Sequence, residues 1–248
     1  MVDFKIAAVQ VASVRGDIDG NIATHAAAMT AAAGRGISLL VFPELSLTGY
    51  ELDLAADLAI TGTDRKLEPL RALARRHSMD IVVGAPLRDG AEKPKLGAIV
   101  IRSSGASEAY HKMHLGGDEP SYFVPGNEPL LLAVGGYKVG IAICADSSRA
   151  THPESYATSG AKIYAAGVFL TAEWYETDVP RLAKYAESYE MLTVMANHAA
   201  SVGSYESVGK SAVWAPKGEL LVQAVGTESA LLIASSTNGT WQGEVVAL

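Results

Sequence analysis

Three side chains with complementary chemistry each follow an apolar, strand-like run of this 248-residue chain. Cys144, Glu44 and Lys112 supply a thiol, a carboxylate and an ammonium. A thiol needs a base to become the nucleophilic thiolate, and a nearby cation lowers the pKa of the thiol further. Attack on a carbonyl or nitrile carbon also needs a group that holds the developing negative charge. The three residues together therefore fit nucleophilic catalysis at such a carbon.

Each of these residues also has an ordinary structural explanation. Cys144 is the one cysteine in the chain, so no internal disulfide forms, and a free cysteine is often a small buried hydrophobe. Glu44 is open to interpretation as a helix N-cap or a loop carboxylate paired with an amide. Lys112 fits an edge-strand lysine that discourages aggregation. Their shared position favours chemistry, because α/β proteins place ligands and catalytic groups where strands end.

Alternating strand-like and helix-like patterns predict the elements that carry these residues. Strands are predicted over 4–11, 37–42, 80–84, 96–102, 107–112, 129–134, 137–143, 163–166, 192–197, 211–215, 219–224 and 229–234, and helices over 21–33, 65–77, 153–160 and 179–189. No linker-like tract or internal repeat divides the chain, so we expect one domain over 1–248. The predicted fold class is α/β, with two mixed sheets face to face covered by helices.

The bulk composition excludes several classes of protein. A net charge of −7 argues against a nucleic-acid partner, because phosphate binding needs a basic patch. No stretch approaches the roughly 20 apolar residues of a membrane helix, and the first residues lack the pattern of a signal peptide. We therefore expect a cytoplasmic protein without a membrane partner that acts on a small molecule. A reducing compartment would keep the thiol usable.

Three motifs, in order along the chain, resemble those of the nitrilase (carbon–nitrogen hydrolase) superfamily. Residues 42–44 with 48–50 resemble its glutamate motif, 110–115 its lysine motif and 140–146 its cysteine motif. Residues 119–126 resemble the region of a second glutamate, and Asn197 with 209–211 and 216–219 resembles the C-terminal signature. The resemblance implies a four-layer αββα sandwich that commonly forms a homodimer. It also implies a Glu–Lys–Cys triad with no metal and no organic cofactor.

The resemblance assigns a role to each matching residue. Glu44 would take the thiol proton, and Cys144 would attack the amide carbon. Lys112 and the backbone N–H of Ala145 would stabilise the tetrahedral oxyanion. Glu119 would orient Lys112 or the substrate nitrogen. Ammonia or an amine would leave, and water activated by Glu44 would hydrolyse the thioester.

The chain departs from the family pattern just after the cysteine. Ala145 replaces the larger residue that members commonly carry there, which would enlarge the pocket. Asp146 resembles amidase and carbamoylase branches more than nitrilases, which favours an amide substrate. Eight residues separate Cys144 from Pro153, more than in many members of the family, and this longer loop is expected to border the site. Within it, Arg149 would either clamp a substrate carboxylate or form a salt bridge in the loop or at a dimer contact.

The remaining pocket candidates each have two interpretations. His114 is expected to support Lys112 or to line the pocket, since no second ligand at helical spacing indicates a metal site. Glu173 and Trp174 would form a pocket wall or pack at the sheet rim, and Asn197 would contact substrate or close a turn. Tyr50, from the stretch that resembles the glutamate motif, is the last of the pocket candidates. The sequence thus predicts an amidase-type hydrolase of a small linear amide or N-carbamoyl compound. A nitrilase, or a non-catalytic binding member of the same fold, is the alternative.

Overall fold

Strands and helices alternate in a computed structural model that describes residues 4–201 and 205–248. The helices are α1 (Ile18–Ala33), α2 (Glu68–His77), α3 (Thr151–Thr158) and α4 (Ala172–Tyr189). The strands are β1 (Lys5–Gln10), β2 (Leu39–Val41), β3 (Asp80–Leu87), β4 (Lys95–Ile101), β5 (Ser107–His111), β6 (Leu131–Val134), β7 (Tyr137–Ile143), β8 (Ile163–Gly167), β9 (Leu192–Ala196), β10 (Ala212–Trp214), β11 (Leu220–Gln223), β12 (Ala230–Thr237) and β13 (Thr240–Ala247).

The strands form two mixed sheets. The first has the order β13-β12-β1-β2-β3-β4-β5, with β1, β2 and β3 parallel and the other pairs antiparallel. The second has the order β11-β10-β9-β8-β7-β6, with β7, β8 and β9 parallel. The parallel strands at the centre of each sheet are buried throughout, as expected for strands covered on both faces.

The two sheets pack face to face, and helices cover their outer sides. Leu39 of the first sheet and Val194 of the second belong to one buried apolar cluster. Met29 of α1 and Leu70 of α2 pack with Leu40 in a second cluster on the outer face of the first sheet. Helix α4 packs against β9 of the other sheet. This layering is the four-layer αββα sandwich predicted from the family resemblance, and that prediction is confirmed.

The structure differs from the sequence prediction at the edge strand β13 and at helix α4. Strand β13 was not predicted, because its pattern is largely polar; it pairs with β12 along its whole length and stays mostly exposed. Helix α4 was predicted over 179–189 but begins at Ala172. Proline is common in the first turn of a helix, so Pro180 made the helix look as if it began near residue 179. The two turns before it were therefore not predicted.

The predicted eight-residue loop after Cys144 is also wrong in form. Residues Cys144–Ser148 make a 3₁₀ turn, and α3 begins at Thr151, two residues before the predicted start at 153. The irregular connection therefore shrinks to Arg149 and Ala150. Most of the residues between Cys144 and Pro153 therefore form ordered turns that continue directly from β7.

Candidate active site

The ends of three strands bring the candidate residues together from both sheets. Lys112 directly follows β5, and Glu44 lies in the turn after β2 of the same sheet. Cys144 directly follows β7 of the opposite sheet. All three side chains are buried, so their charges act on one another with little screening by water.

Lys112 lies between two carboxylates. Its Nζ donates to Glu44 Oε1 at 2.6 Å and to Glu119 Oε1 at 2.7 Å. Burial opposes the charged ammonium, but the two carboxylates and Cys144 outweigh that cost and raise the pKa of Lys112. Lys112 is therefore a fixed cation at neutral pH.

The two glutamates have different environments. Glu119 Oε1 also accepts from the Tyr50 hydroxyl at 2.8 Å, and its Oε2 accepts from the Gly116 N–H at 2.8 Å. Glu44 Oε2, by contrast, is buried without a hydrogen-bond partner among the described residues. Glu119 is thus held by three donors, whereas Glu44 keeps one oxygen free to accept a proton.

The free oxygen belongs to a carboxyl group with a pKa suited to proton transfer. Burial raises the pKa of Glu44 to about 7, and the Lys112 charge opposes that rise only in part. A group with a pKa near the working pH combines a substantial basic fraction with useful proton affinity. Glu44 therefore has the properties of a general base.

The Cys144 thiol sits on a strained backbone at the start of the 3₁₀ turn. Its φ is +39°, a left-handed value that is uncommon for a non-glycine residue and is often found at functional sites. Sγ lies 3.8 Å from the Phe169 carbonyl oxygen. Burial, followed by the charge of Glu44, raises the pKa of Cys144 even though Lys112 opposes the rise. The resting thiol is therefore protonated and needs a base beside it.

Asp146 links the 3₁₀ turn that carries Cys144 to the turn that follows Lys112. Its Oδ1 accepts from the N–H groups of Met113 and His114, which directly follow Lys112, at 3.0 and 2.9 Å. Its Oδ2 accepts from the Ile143 N–H at 3.0 Å and from the Tyr110 hydroxyl at 2.6 Å. Sequence reasoning used Asp146 only to choose between family branches and missed this position.

The fully buried ion of Asp146 is stabilised by its donors. Burial by itself raises the pKa of Asp146, but hydrogen bonding and charge from His114, His152 and Tyr110 outweigh burial and lower it. His152 also contacts the Tyr110 hydroxyl at 2.9 Å and the Tyr164 hydroxyl at 2.9 Å. No sequence motif signals this network, because its members come from four separate elements.

The backbone of Glu44 is held between the two sheets. A Cβ at Gly84 of β3 would collide with the backbone of Pro43 to Leu45, and one at Gly167 of β8 would meet Phe42 O and Glu44 N. His198 Nε2 lies 2.7 Å from the Glu44 carbonyl oxygen, to which it donates. Burial lowers the pKa of His198 to about 4, so the ring is neutral at pH 7. Two glycines and one histidine thus fix the position of the candidate base.

A cavity of about 240 Å³ opens beside the cluster. It meets the cluster at Tyr50, which donates to Glu119, and at Phe169, whose carbonyl oxygen faces Cys144. Its remaining walls are formed by Leu52, Gly117, Asp118, Thr171, Glu173, Trp174 and Tyr205. The predicted pocket residues Tyr50, Glu173 and Trp174 therefore do share one cavity, at the first turn of α4.

Three other predicted pocket residues lie elsewhere. Asn197 makes its hydrogen bonds to backbone atoms of Leu170 and Gly209, so it closes a connection between loops. His114 Nδ1 lies 3.2 Å from Asp146, on the side of the buried network. Arg149 is exposed, forms no ion pair with the described residues and is not a wall of this cavity.

The described ranges were also searched for metal-binding clusters and for membrane spans. Within 4–201 and 205–248, no group of three or more His, Cys, Asp or Glu side chains could hold a metal ion. No helix in those ranges is both long enough and apolar enough to cross a membrane.

Comparison with known proteins finds one family whose sequences this chain matches along most of its length. The family model for carbon–nitrogen hydrolases matches residues 5–243. A nitrilase of Pyrococcus abyssi is 27% identical over 237 residues, which cover 93% of this chain and 88% of that protein. A glutamine-dependent NAD(+) synthetase of Thermotoga maritima is 30% identical over 190 residues, 74% of this chain. The match covers 32% of that synthetase, so the chain corresponds to about a third of its length.

The fold is shared with an amidase of the nitrilase superfamily from Nesterenkonia sp. AN1. One of its structures has a TM-score of 0.86 at 25% identity, covering 94% of this chain and 90% of that one. In that structure, of a variant enzyme, the acetamide moiety of fluoroacetamide is covalently attached to the active-site cysteine. In this chain, the only cysteine lies buried beside a lysine and two carboxylates.

Proposed function

The chain belongs to the carbon–nitrogen hydrolase family, and on that basis we propose that it hydrolyses the C–N bond of a small linear amide or N-carbamoyl compound. The observation that carries the proposal is the free, buried Oε2 of Glu44, on a carboxyl group whose pKa is about 7, beside a protonated thiol. A buried carboxylate oxygen without a partner costs stability, so a functional explanation is needed. Accepting the Cys144 proton supplies one.

The proposed reaction begins when Glu44 takes the Cys144 proton and Sγ attacks the amide carbon. The carbonyl π electrons move to oxygen, and the resulting oxyanion is stabilised by the Lys112 ammonium and by the Ala145 N–H. The first N–H groups of a helical turn have no partner within it, which leaves that of Ala145 available. Glu119 holds the ammonium in position through Oε1.

The intermediate collapses when the C–N bond breaks and Glu44 returns its proton to the departing nitrogen. Ammonia or an amine leaves, and a thioester remains on Cys144. Glu44 then takes a proton from water, the hydroxide attacks the thioester, and the carboxylic acid departs as the thiolate recovers the proton. One carboxyl group therefore acts as base and acid in turn.

Mass spectrometry of the enzyme quenched during turnover tests this chemistry. With acetamide or propionamide in excess, we expect an acyl group on the peptide that contains Cys144. Cys144→Ala should form no adduct and release no ammonia, whereas Thr30→Ala, on the exposed side of α1, should retain the adduct. Full hydrolysis by Cys144→Ala would refute the proposal.

A nitrilase is the second candidate, because one relative carries that name. The sequence Cys144-Ala145-Asp146 favours the amide, since it resembles the amidase and carbamoylase branches more than true nitrilases, which usually have Trp-Glu after the cysteine. Incubation with matched pairs of an amide and the nitrile of the same acyl chain separates the two. Ammonia from the amide alone supports the amidase, and turnover of the nitrile at an equal rate supports the nitrilase.

A further inference from the structure

We propose that the preferred substrate carries a protonated amine at the end remote from its amide or carbamoyl group, and that Asp118 and Glu173 bind this ammonium among aromatic rings. The inference rests on the proposed hydrolysis and names the substrate class of the same site. It follows from the charge and the surface chemistry of the cavity beside Tyr50 and Phe169.

The first observation is the charge of the cavity. Asp118 and Glu173 are its two charged wall residues, and the described wall contains no Lys, Arg or His. Neither carboxylate forms an ion pair within the described part of the chain, whereas Asp19, Asp89, Asp178 and Glu187 each pair with a Lys or Arg. Two uncompensated negative charges at the mouth of a small cavity favour a cation.

The second observation is the aromatic lining. Tyr50 stacks on Phe169 with ring centroids 5.0 Å apart, and Tyr205 meets both edge-on at 5.6 and 6.1 Å. Trp174, 39% exposed, covers the side next to Glu173. Ring faces attract a cation through their quadrupole, and their apolar surface suits a chain of methylene groups. A linear alkylammonium matches both properties.

The third observation is an unpartnered buried carboxylate oxygen in the adjoining cavity. This second cavity, of about 580 Å³, shares Tyr50, Asp118 and Tyr205 with the first. Its wall residue Glu51 is 5% exposed, and Oε1 of Glu51 is buried without a hydrogen-bond partner among the described residues. The adjoining cavity thus adds a further carboxylate to the negative charge around Asp118.

Arg15, the one cation among the described residues that line the adjoining cavity, is already neutralised. Arg15 is paired with Glu51, and its Nη2 lies 2.6 Å from Asp53 Oδ2. One guanidinium thus faces two carboxylates, and the second cavity also has a negative balance. A substrate carboxylate entering through either cavity would meet repulsion.

The N-terminus of α4 lies at the cavity edge and carries a partial positive charge, which opposes the binding of a cation. A helix N-terminus is equivalent to roughly half a positive charge. Glu173 lies in the first turn of that helix and offsets it directly. Asp118 lies outside α4, directly before the 3₁₀ turn Glu119–Ser121, and adds a second negative charge, so the balance still favours a cation.

A charge-matched substrate series tests the proposal. The series contains ω-amino amides, n-alkyl amides of equal length in which methyl replaces ammonium, and ω-carboxy amides. Ammonia release should give kcat/KM about tenfold higher for the amino amide than for its neutral match, from two exposed ionic contacts and one cation–π contact. The carboxy amide should be the poorest of the three.

Variants locate the source of the preference. Asp118→Asn combined with Glu173→Gln should reduce the amino-to-neutral ratio towards one. Glu176→Gln removes an exposed charge from the same helix but outside the cavity wall, and should keep the ratio. A ratio at or below one in the native enzyme, or one that persists in the double variant, overturns the proposal while amide hydrolysis stands.

Binding without turnover separates this failure from failure of the proposed function. Calorimetry on Cys144→Ala should show n-pentylammonium binding about tenfold more tightly than n-pentanol, a difference abolished by the double substitution. If no amide releases ammonia but this difference is present, the hydrolysis is wrong and the cation site stands. Equal binding of the two ligands refutes the cation site.

Discussion

Asp146→Asn is expected to impair stability and activity together, because this carboxylate joins the turns that carry Cys144 and Lys112. The substitution keeps the shape of the side chain but replaces one acceptor oxygen by an NH₂ donor. On the Oδ1 side that donor would face the N–H groups of Met113 and His114. On the Oδ2 side it would face the Ile143 N–H and the Tyr110 hydroxyl.

In the less costly orientation the Ile143 N–H loses its acceptor, whereas the Tyr110 hydroxyl can turn to accept from the new NH₂ group. A hydrogen bond to a charged group contributes roughly 1.5–3 kcal/mol, so the free energy of unfolding should fall by roughly 1.5–3 kcal/mol. The Ile143 N–H precedes the nucleophile directly, and a shift of about 1 Å in a catalytic group can cost about 100-fold in rate. We therefore expect kcat to fall about 100-fold in the folded variant.

Urea unfolding and ammonia release from acetamide measure the two effects. The ionised form of Asp146 stabilises the fold because its pKa is lowered. That contribution is present above the ordinary aspartate pKa and is lost as pH falls through the lowered value, so the wild-type stability should fall on acidification more than that of the variant.

Asp80→Asn is the matched control. Asp80 is also buried, accepts the Ser103 N–H at 2.6 Å and pairs with Arg102, but it lies at the start of β3, remote from the cluster. This variant should lose stability and keep kcat. A fall in kcat for Asp80→Asn equal to that for Asp146→Asn, or full activity in the latter, would contradict the positioning role.

Three further predictions concern the base, the cation and the backbone around them. Protonated Glu44 cannot accept the thiol proton, so kcat/KM should fall as the pH drops through about 7. A fall in kcat/KM centred near the ordinary glutamate pKa would count against Glu44 as the base. Lys112→Met should lower kcat by about 10²–10³-fold, because the oxyanion loses a donor. The same variant should lower the free energy of unfolding, measured in urea, by about 3–5 kcal/mol, because two buried carboxylates lose their partner. Gly167→Ala should reduce kcat by displacing the Glu44 backbone, whereas Gly34→Ala, where a methyl group meets nothing within 4 Å, should leave kcat unchanged.

Local sequence patterns located most strands and the order of the chemical groups. The apolar run 37–42 and the run ending at Ile143 both became interior strands, since continuous apolar residues are stable only where both faces are covered. The predicted αββα layering followed from the family motifs and is confirmed. Strand β13 escaped prediction because an exposed edge strand needs no apolar alternation once a neighbour supplies its hydrogen bonds.

The sequence by itself determined which groups are available: one thiol, and a lysine and two glutamates at strand ends or in the turns after them. Tertiary structure decided how the two glutamates differ, because Glu119 is held by three donors while Glu44 keeps a free oxygen and a pKa near 7. It also made Asp146 a link between the two turns and placed Glu173 with Trp174 on the cavity wall. These properties arise from burial and from partners distant along the chain, as in the contact between Lys112 and Glu44, 68 residues apart. A local pattern specifies the side chain, but the field and the hydrogen bonds around it exist only after the sheets have packed.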